Sequence, residues 1–251
     1  MPIEIEYLGW SSFRFVSENG TKVVTDPCLS GHPATGIPPC VVGPNDLADT
    51  DLLAVTHAAY DHAAQVIDLM KASQATLFAP RDVTIKVFKA EIARERVFTM
   101  CQGMRFGSRD ILIKGLEAIH HSITEFEGQW VTGMPLSFMI YFGSGEKIFF
   151  AGDSALGNHF RFYGEFYRPD LAILPVGGGR VHDQFLTVLY PDEAAVASRW
   201  LNVKTVIPMH YLGSEAQQFQ EELARHVPEV RAVIMEPGER LRFSSREGLL
   251  Q

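Results

Sequence analysis

The sequence has little that points to disulfides or to a membrane. Its 251 residues include three cysteines, Cys28, Cys40 and Cys101, which are odd in number and form no C-x-x-C pair. We therefore expect reduced thiols. No apolar run reaches the length of a membrane span, and residues 1–6 lack the basic start and apolar core of a signal peptide. These absences predict a cytoplasmic protein with no membrane partner.

Positive charge is also scarce. The chain has 22 Lys and Arg against 30 Asp and Glu, a net charge of −8, and it has no basic block. Such a chain repels phosphate backbones, so we expect a small-molecule substrate and no nucleic-acid partner. The apolar fraction of 46% is typical of a globular protein with a buried core. The composition leaves the oligomeric state open, and a homo-oligomer is one alternative.

Strand-like and helix-like stretches alternate along the chain. Residues 3–25 read as three short strands, after which strands alternate with helices, and this pattern of strand hairpins followed by alternation occurs twice along the chain. Residues 123–134 are predicted to be a loop. This order favours a two-sheet sandwich with helices on the outside. No linker, low-complexity segment or repeat divides the sequence, so we predict a single domain spanning residues 1–251.

Side chains that can bind a metal recur where predicted strands end. The apolar run 52–55 leads into His57, Asp61 and His62, just before a stretch with helical spacing. Three further candidates each follow another apolar run, namely His121, Asp153 and His210. Ligands of α/β sheets gather at the carboxyl ends of strands. Imidazoles beside carboxylates suit a divalent cation such as zinc.

Each of these residues also has a purely structural interpretation. Asp61 could cap the helix, residues 152–154 could form a turn, and His210 could be a core histidine bonded to backbone. His121 could belong to a polar strand end. Four strand ends with the same chemistry nevertheless favour a shared metal site over four independent structural roles.

These segments resemble the metallo-β-lactamase fold superfamily. The similarity is greatest to its lactonase-like branch of metal-dependent hydrolases, which includes ascorbate-6-phosphate lactonase. The matching segments, in the order of the family, are Tyr7–Phe13, Thr25–Pro27, Thr56–His62, His121–Ser122, Gly152–Ser154, Leu174–Gly178 and Pro208–Tyr211. The resemblance implies an αββα four-layer sandwich of the α/β class, with a metal site at one rim.

The resemblance also implies a set of ligands for one or two divalent ions, with zinc first and manganese or iron as alternatives. His57 and His121 would serve a first subsite, and a second would use Asp61, His62 and His210. Asp153 would bridge the two subsites. Asp26 would orient a ligand histidine through a hydrogen bond. The candidates for catalytic carboxylates are Asp153 and Asp61.

The chain departs from the family pattern at two positions. The family motif has a histidine where this chain has Ala59, and a methyl group cannot bind a metal. The turn near the start often has a histidine where this chain has Trp10. The second subsite therefore keeps its full set, while the first lacks one ligand. The candidates for a substitute ligand are His120, His32 and His182.

Substrate contacts are harder to predict from the sequence. Arg180 follows a glycine-rich turn at the same rim and could pair with an anion. Trp130 could help to wall an apolar pocket, and Tyr211, which follows a candidate ligand, could reach the substrate. Each could equally be a surface or packing residue. We expect hydrolysis of a small-molecule ester, lactone or amide through a metal-activated water. The alternatives are a metal-dependent phosphodiesterase or nuclease, and a metal-binding scaffold with little turnover because of Ala59.

Overall fold

A computed structural model describes residues 2–178, 180–181, 184–185 and 187–250, and the structural statements below refer to these residues. In chain order the strands of the first part are β1 (Ile3–Gly9), β2 (Ser12–Val16), β3 (Lys22–Thr25), β4 (Leu52–Ala54), β5 (Thr76–Ala79), β6 (Val97–Thr99), β7 (Arg105–Ser108), β8 (Ile111–Glu117), β9 (Ile123–Phe126) and β10 (Gln129–Thr132). The later strands are β11 (Leu136–Phe142), β12 (Lys147–Phe150), β13 (Leu171–Pro175), β14 (Arg180–Val181), β15 (Gln184–Phe185), β16 (Thr205–Met209), β17 (Arg231–Ala232), β18 (Arg240–Ser244) and β19 (Gly248–Leu250).

Along the sequence, the helices connect successive strands of each sheet. The α-helices are α1 (Tyr60–Ala63), α2 (Val66–Ala72), α3 (Arg81–Lys89), α4 (His159–Phe166), α5 (Pro191–Leu201) and α6 (Glu215–His226). Short 3₁₀ turns occur at Pro33–Thr35, Pro44–Leu47 and Arg94–Arg96. None of the helices in the described part of the chain is long and apolar enough to cross a bilayer.

Two large sheets form the framework. The first has eight strands in the order β19-β18-β1-β2-β3-β4-β5-β6, and the second has seven in the order β17-β16-β13-β12-β11-β8-β7. Each is antiparallel on one side and parallel on the other, because hairpins join neighbouring antiparallel strands while helices connect the parallel ones. Buried strands such as β4 and β13 are therefore apolar on both faces.

Three apolar clusters separate four layers. The inner faces of both sheets meet in a core that includes Phe13 from the first sheet and Phe150 from the second. The outer face of the first sheet packs through Leu53 on α2 and α3. The outer face of the second packs through Phe149 on α4, α5 and α6. The predicted αββα four-layer sandwich is confirmed.

One segment differs from the sequence prediction. Residues 123–134 contain the two-stranded hairpin β9–β10, in which Trp130 pairs with Glu125. The hairpin packs against α3 and away from both large sheets. It has few buried apolar positions, so its strands lack the strong hydrophobic alternation that identifies a strand in the sequence.

Candidate metal centre

The candidate ligands meet at one rim, where strands of both sheets end. His57 follows β4 of the first sheet, while β8, β12 and β16 of the second sheet lead to His120, Asp153 and His210. Helix α1 starts only three residues after His57 and carries Asp61 and His62 in its single turn. Side chains that are up to 153 residues apart in the sequence therefore share one pocket.

Two groups of these side chains could hold a metal ion, and Asp153 belongs to both. The first subsite consists of His57, His120 and Asp153, and the second consists of Asp61, His62, Asp153 and His210. Within each group the ligand atoms lie within 4.8 Å of one another. In the second subsite, His210 Nε2 is 3.2 Å from Asp153 Oδ2 and 3.3 Å from Asp61 Oδ2.

Two buried atoms of the cluster support a metal at this position. His57 Nε2 and Asp153 Oδ1 are buried, and neither makes a hydrogen bond to the described residues, with His62 Nε2 as an ion-pair neighbour 3.4 Å from Asp153 Oδ1. Such atoms cost free energy unless something satisfies them. A cation would satisfy both atoms at once, and a donor set of imidazole nitrogens and carboxylate oxygens matches zinc, manganese and iron. The residues present therefore fit a divalent metal.

Asp26 holds one of the ligands in place. Its Oδ2 accepts hydrogen bonds from His62 Nδ1 at 2.8 Å and Thr56 Oγ1 at 2.7 Å, and its Oδ1 accepts the Thr56 backbone N–H at 2.7 Å. Asp26 and His62 are both fully buried. Because Nδ1 of His62 carries the shared proton, Nε2 faces the second subsite and is the nitrogen that can bind a metal. Thr56 is a supporting residue that the sequence analysis did not single out.

Burial and charge set the protonation of the cluster. Burial, together with the nearby His62, lowers the pKa of His57 well below its ordinary value. Burial also lowers the pKa of His120. Burial alone would raise the pKa of Asp153, but His210 and His62 outweigh it and hold that pKa well below the usual value. The first subsite thus presents two neutral imidazoles and a carboxylate, which is the form that binds metal.

The charged groups of the second subsite interact more strongly with one another. Burial disfavours the charged form of His62, but the carboxylates of Asp153, Asp61 and Asp26 outweigh it and raise its pKa well above the ordinary value. The same balance raises the pKa of His210 to about 9. Without a cation, protons on these histidines therefore compensate the carboxylates. Metal binding at this subsite must release protons.

Trp10 occupies the turn position where the resemblance led us to consider a histidine. Its indole Nε1 donates to Asp61 Oδ2 at 3.0 Å, and its ring lies 4.1 Å from the ring of His210. Trp10 therefore fixes two ligands of the second subsite and is not itself a ligand. Trp10, Asp26 and His210 have φ angles of 53°, 40° and 59°. Non-glycine residues rarely adopt this left-handed conformation outside constrained sites.

The histidine that faces the first subsite differs from the predicted one. His120 Nε2 lies 3.8 Å from Asp153 Oδ2, and its Nδ1 lies 2.9 Å from Thr187 Oγ1. His121 is exposed and belongs to neither ligand group. The chain bends at residues 119–120, just past the end of β8, so the alternation of the strand does not carry over to the two histidines. The side chain of His120 is only 3% exposed and His121 is exposed, which places His120 on the inner side.

The remaining predicted residues lie outside the two groups. His32 Nδ1 is 2.9 Å from Thr35 Oγ1, and its ring contacts Tyr60. Tyr211 packs beside the core between the second sheet and its helices. Trp130 is 72% exposed on β10. His182 lies outside the described residues, as does the side chain of Arg180.

Comparisons with known proteins agree with this fold and site. A sequence profile of the beta-lactamase superfamily domain matches residues 21–211. The chain is therefore a member of the metallo-β-lactamase superfamily, as the resemblance predicted. A UPF0173 metal-dependent hydrolase from Rubrobacter xylanophilus is 34% identical over 247 residues, which cover 94% of this chain and 95% of the relative. Our chain belongs to this family and is a metal-dependent hydrolase.

Solved structures share the fold at low sequence identity. Igni18, a metallo hydrolase from Ignicoccus hospitalis, has a TM-score of 0.79 and 22% identity, with 97% of this chain and 99% of that chain covered. An isothiocyanate hydrolase from Delia radicum gut bacteria has a TM-score of 0.75 and 14% identity, with 96% and 99% covered. At these identities the likeness establishes a common architecture.

Proposed function

We propose that the protein hydrolyses a small-molecule ester, lactone or amide at the rim where the two sheets meet. The observation that carries this proposal is the bridging position of Asp153, whose buried Oδ1 lacks a hydrogen-bond partner among the described residues. The net charge of −8 favours small molecules over nucleic acid. Three free thiols support a reducing, cytoplasmic location.

The two subsites are proposed to differ in affinity. The second has four protein ligands, whereas the first has three and shares Asp153 with its neighbour. Four ligands match a closed tetrahedral site, and three leave a position open for water or substrate. Ala59 causes this difference, since its methyl group stands where the family motif has a histidine. We infer that the second subsite binds zinc, manganese or iron more tightly than the first.

The chain's own residues would divide the chemistry between them. A bound divalent cation lowers the pKa of its water to roughly 7 and polarises the substrate oxygen. His57 and His120 would hold that charge without neutralising it, because both imidazoles are uncharged. The Asp153 carboxylate would accept the proton of the attacking water and return it to the leaving group. Asp61, with a side chain 25% exposed, lies on the open side of the cluster.

Turnover of model substrates tests the proposal. Protein reconstituted with zinc, manganese or iron is offered lactones, nitrophenyl esters and anilides, and we expect hydrolysis of at least one class. Asp153→Ala should abolish that hydrolysis, because it removes both the bridging ligand and the proton acceptor. Asp68→Ala changes an exposed aspartate of α2 and should keep full activity. Full activity in Asp153→Ala would contradict the site assignment.

A further inference from the structure

A groove of about 470 Å³ lies beside the candidate metal centre. Residues from α1, from the start of α2 and from the two positions just before α1 line one wall, and α3 lines the other. The hairpin β9–β10 forms the outer edge. The volume is within the usual range for a small-molecule pocket. None of the two ligand groups' side chains lines this groove among the described residues, so the groove is a separate feature of the surface.

Both walls of the groove carry small or branched apolar side chains. Ala59, Ala63 and Ala64 line the first wall, and Val83 and Val87 of α3 line the second. Alanine leaves open the volume that a longer side chain would fill. Contact of such a concave apolar surface with water is unfavourable. Replacing that water with hydrocarbon lowers the free energy.

The groove adjoins the metal ligands along the chain. Ala58 and Ala59 line it, and they lie between His57 of the first subsite and Asp61 of the second. On the opposite side, Ile123 follows His120 by three residues. The missing ligand and the groove thus coincide at Ala59. A methyl group at this position leaves free the space into which an imidazole would project.

The charged residues at the groove do not favour a ligand of either charge. Lys86 and Glu125 lie on its rim and carry opposite signs. Asp82, at its base, is occupied by hydrogen bonds from Ser122 Oγ and from the Val83 backbone N–H at 3.1 Å. The outer edge exposes hydrocarbon instead, with Trp130 72% exposed. The chemistry of the groove therefore fits an uncharged, apolar ligand.

We propose that this groove binds the acyl or alkyl chain of the substrate, with the scissile carbonyl at the first subsite. The inference rests on the proposed hydrolase function and narrows the substrate class to molecules with an apolar chain. Ala59 would then be a specificity determinant, because it both opens the first subsite and connects it to the groove.

Binding of straight-chain hydroxamic acids tests the groove without turnover. The hydroxamate binds the metal, and the chain extends into the groove. Each methylene buried contributes about 0.8 kcal/mol, so the affinity of zinc-loaded protein should rise about fourfold per methylene from two to roughly six carbons. Ala63→Phe fills the groove and should remove this dependence while keeping the affinity for acetohydroxamic acid. Ala224→Phe, on the exposed face of α6, should change neither quantity.

The outcomes separate the groove from the metal centre. An affinity that does not change with chain length, with acetohydroxamic acid still bound, would overturn the groove and leave the proposed function intact. Failure of every hydroxamate to bind would contradict the metal centre. In that case, binding at the groove is tested with metal-free protein whose alanine methyl groups are labelled for NMR. Addition of 1-octanol should shift the NMR signals of Ala59 and Ala63, whereas ethanol should not. Unshifted signals would refute the groove. Ala64→Leu replaces Ala63→Phe if the latter does not fold.

Discussion

Asp26→Asn removes one charge from the support of the metal centre and changes the side-chain volume very little. In the wild type, the two carboxylate oxygens accept three hydrogen bonds, from His62 Nδ1, Thr56 Oγ1 and the Thr56 backbone N–H. An asparagine can accept on only one side. With its oxygen toward His62, its NH₂ group faces the Thr56 N–H, and two donors meet where a donor and an acceptor met before.

The substitution should lower both the stability and the metal affinity by amounts typical of such losses. A buried donor left without a partner costs about 1 to 3 kcal/mol, so the free energy of unfolding should fall by that amount. Losing the carboxylate that orients a ligand histidine typically lowers metal affinity by about 10 to 100 fold. At 1.36 kcal/mol per factor of ten, this corresponds to roughly 1.4 to 2.7 kcal/mol of binding free energy.

Chelator competition with zinc measures the affinity, and urea unfolding of metal-free protein measures the stability. Asp170→Asn is the control, because Asp170 also accepts a backbone N–H, that of Lys147 at 2.8 Å, and is a half-buried aspartate outside both ligand groups. We expect the control to lose stability but to keep its zinc affinity. Equal zinc affinity in Asp26→Asn and wild type would refute the role assigned to Asp26, as would an equal loss in the control.

Three further predictions follow from the site and its surroundings. Ala59→His should raise metal occupancy of the first subsite, measured by elemental analysis, and unchanged occupancy would show that the added ring does not reach the metal. His120→Ala should weaken the first metal at least tenfold in chelator competition, whereas His121→Ala should not; the reverse result would restore the sequence prediction. Burial lowers the pKa of His159 to about 4, below the 6.5 of the unfolded chain. Between these pH values the folded state therefore binds fewer protons than the unfolded state, so the free energy of unfolding should fall as the pH drops from 6.5 to 4. Urea unfolding should show a smaller fall in His159→Gln than in the wild type, and an identical fall would contradict this prediction.

The sequence predicted the site where local pattern determines position. His57, Asp61 and His62 follow one apolar strand within six residues, so their proximity depends only on a strand end and one helical turn. Asp153 and His210 follow parallel strands of one sheet, whose ends meet at the same rim. These residues could therefore be grouped from the sequence.

The sequence prediction was less successful where position depends on side-chain direction or on tertiary contacts. The chain bends at residues 119–120, so the alternation of β8 could not decide which of the adjacent histidines, His120 or His121, faces inward. The contact between Trp10 and Asp61 joins residues 51 positions apart, and no local pattern specifies it. The groove likewise forms between helices α1, α2 and α3 and the hairpin β9–β10, so it could be recognised only from the assembled fold.

The number and affinity of bound metal ions test the central claim most directly. Protein purified without added metal is analysed for metal content, then titrated with zinc against a chelator, with Asp153→Ala as the matched variant. We predict about one tightly held ion per chain, a second that binds more weakly, and weakened binding of both in Asp153→Ala. Two ions of equal affinity would contradict the inferred difference between the subsites. Protein that binds no zinc, manganese or iron would contradict the metal centre itself.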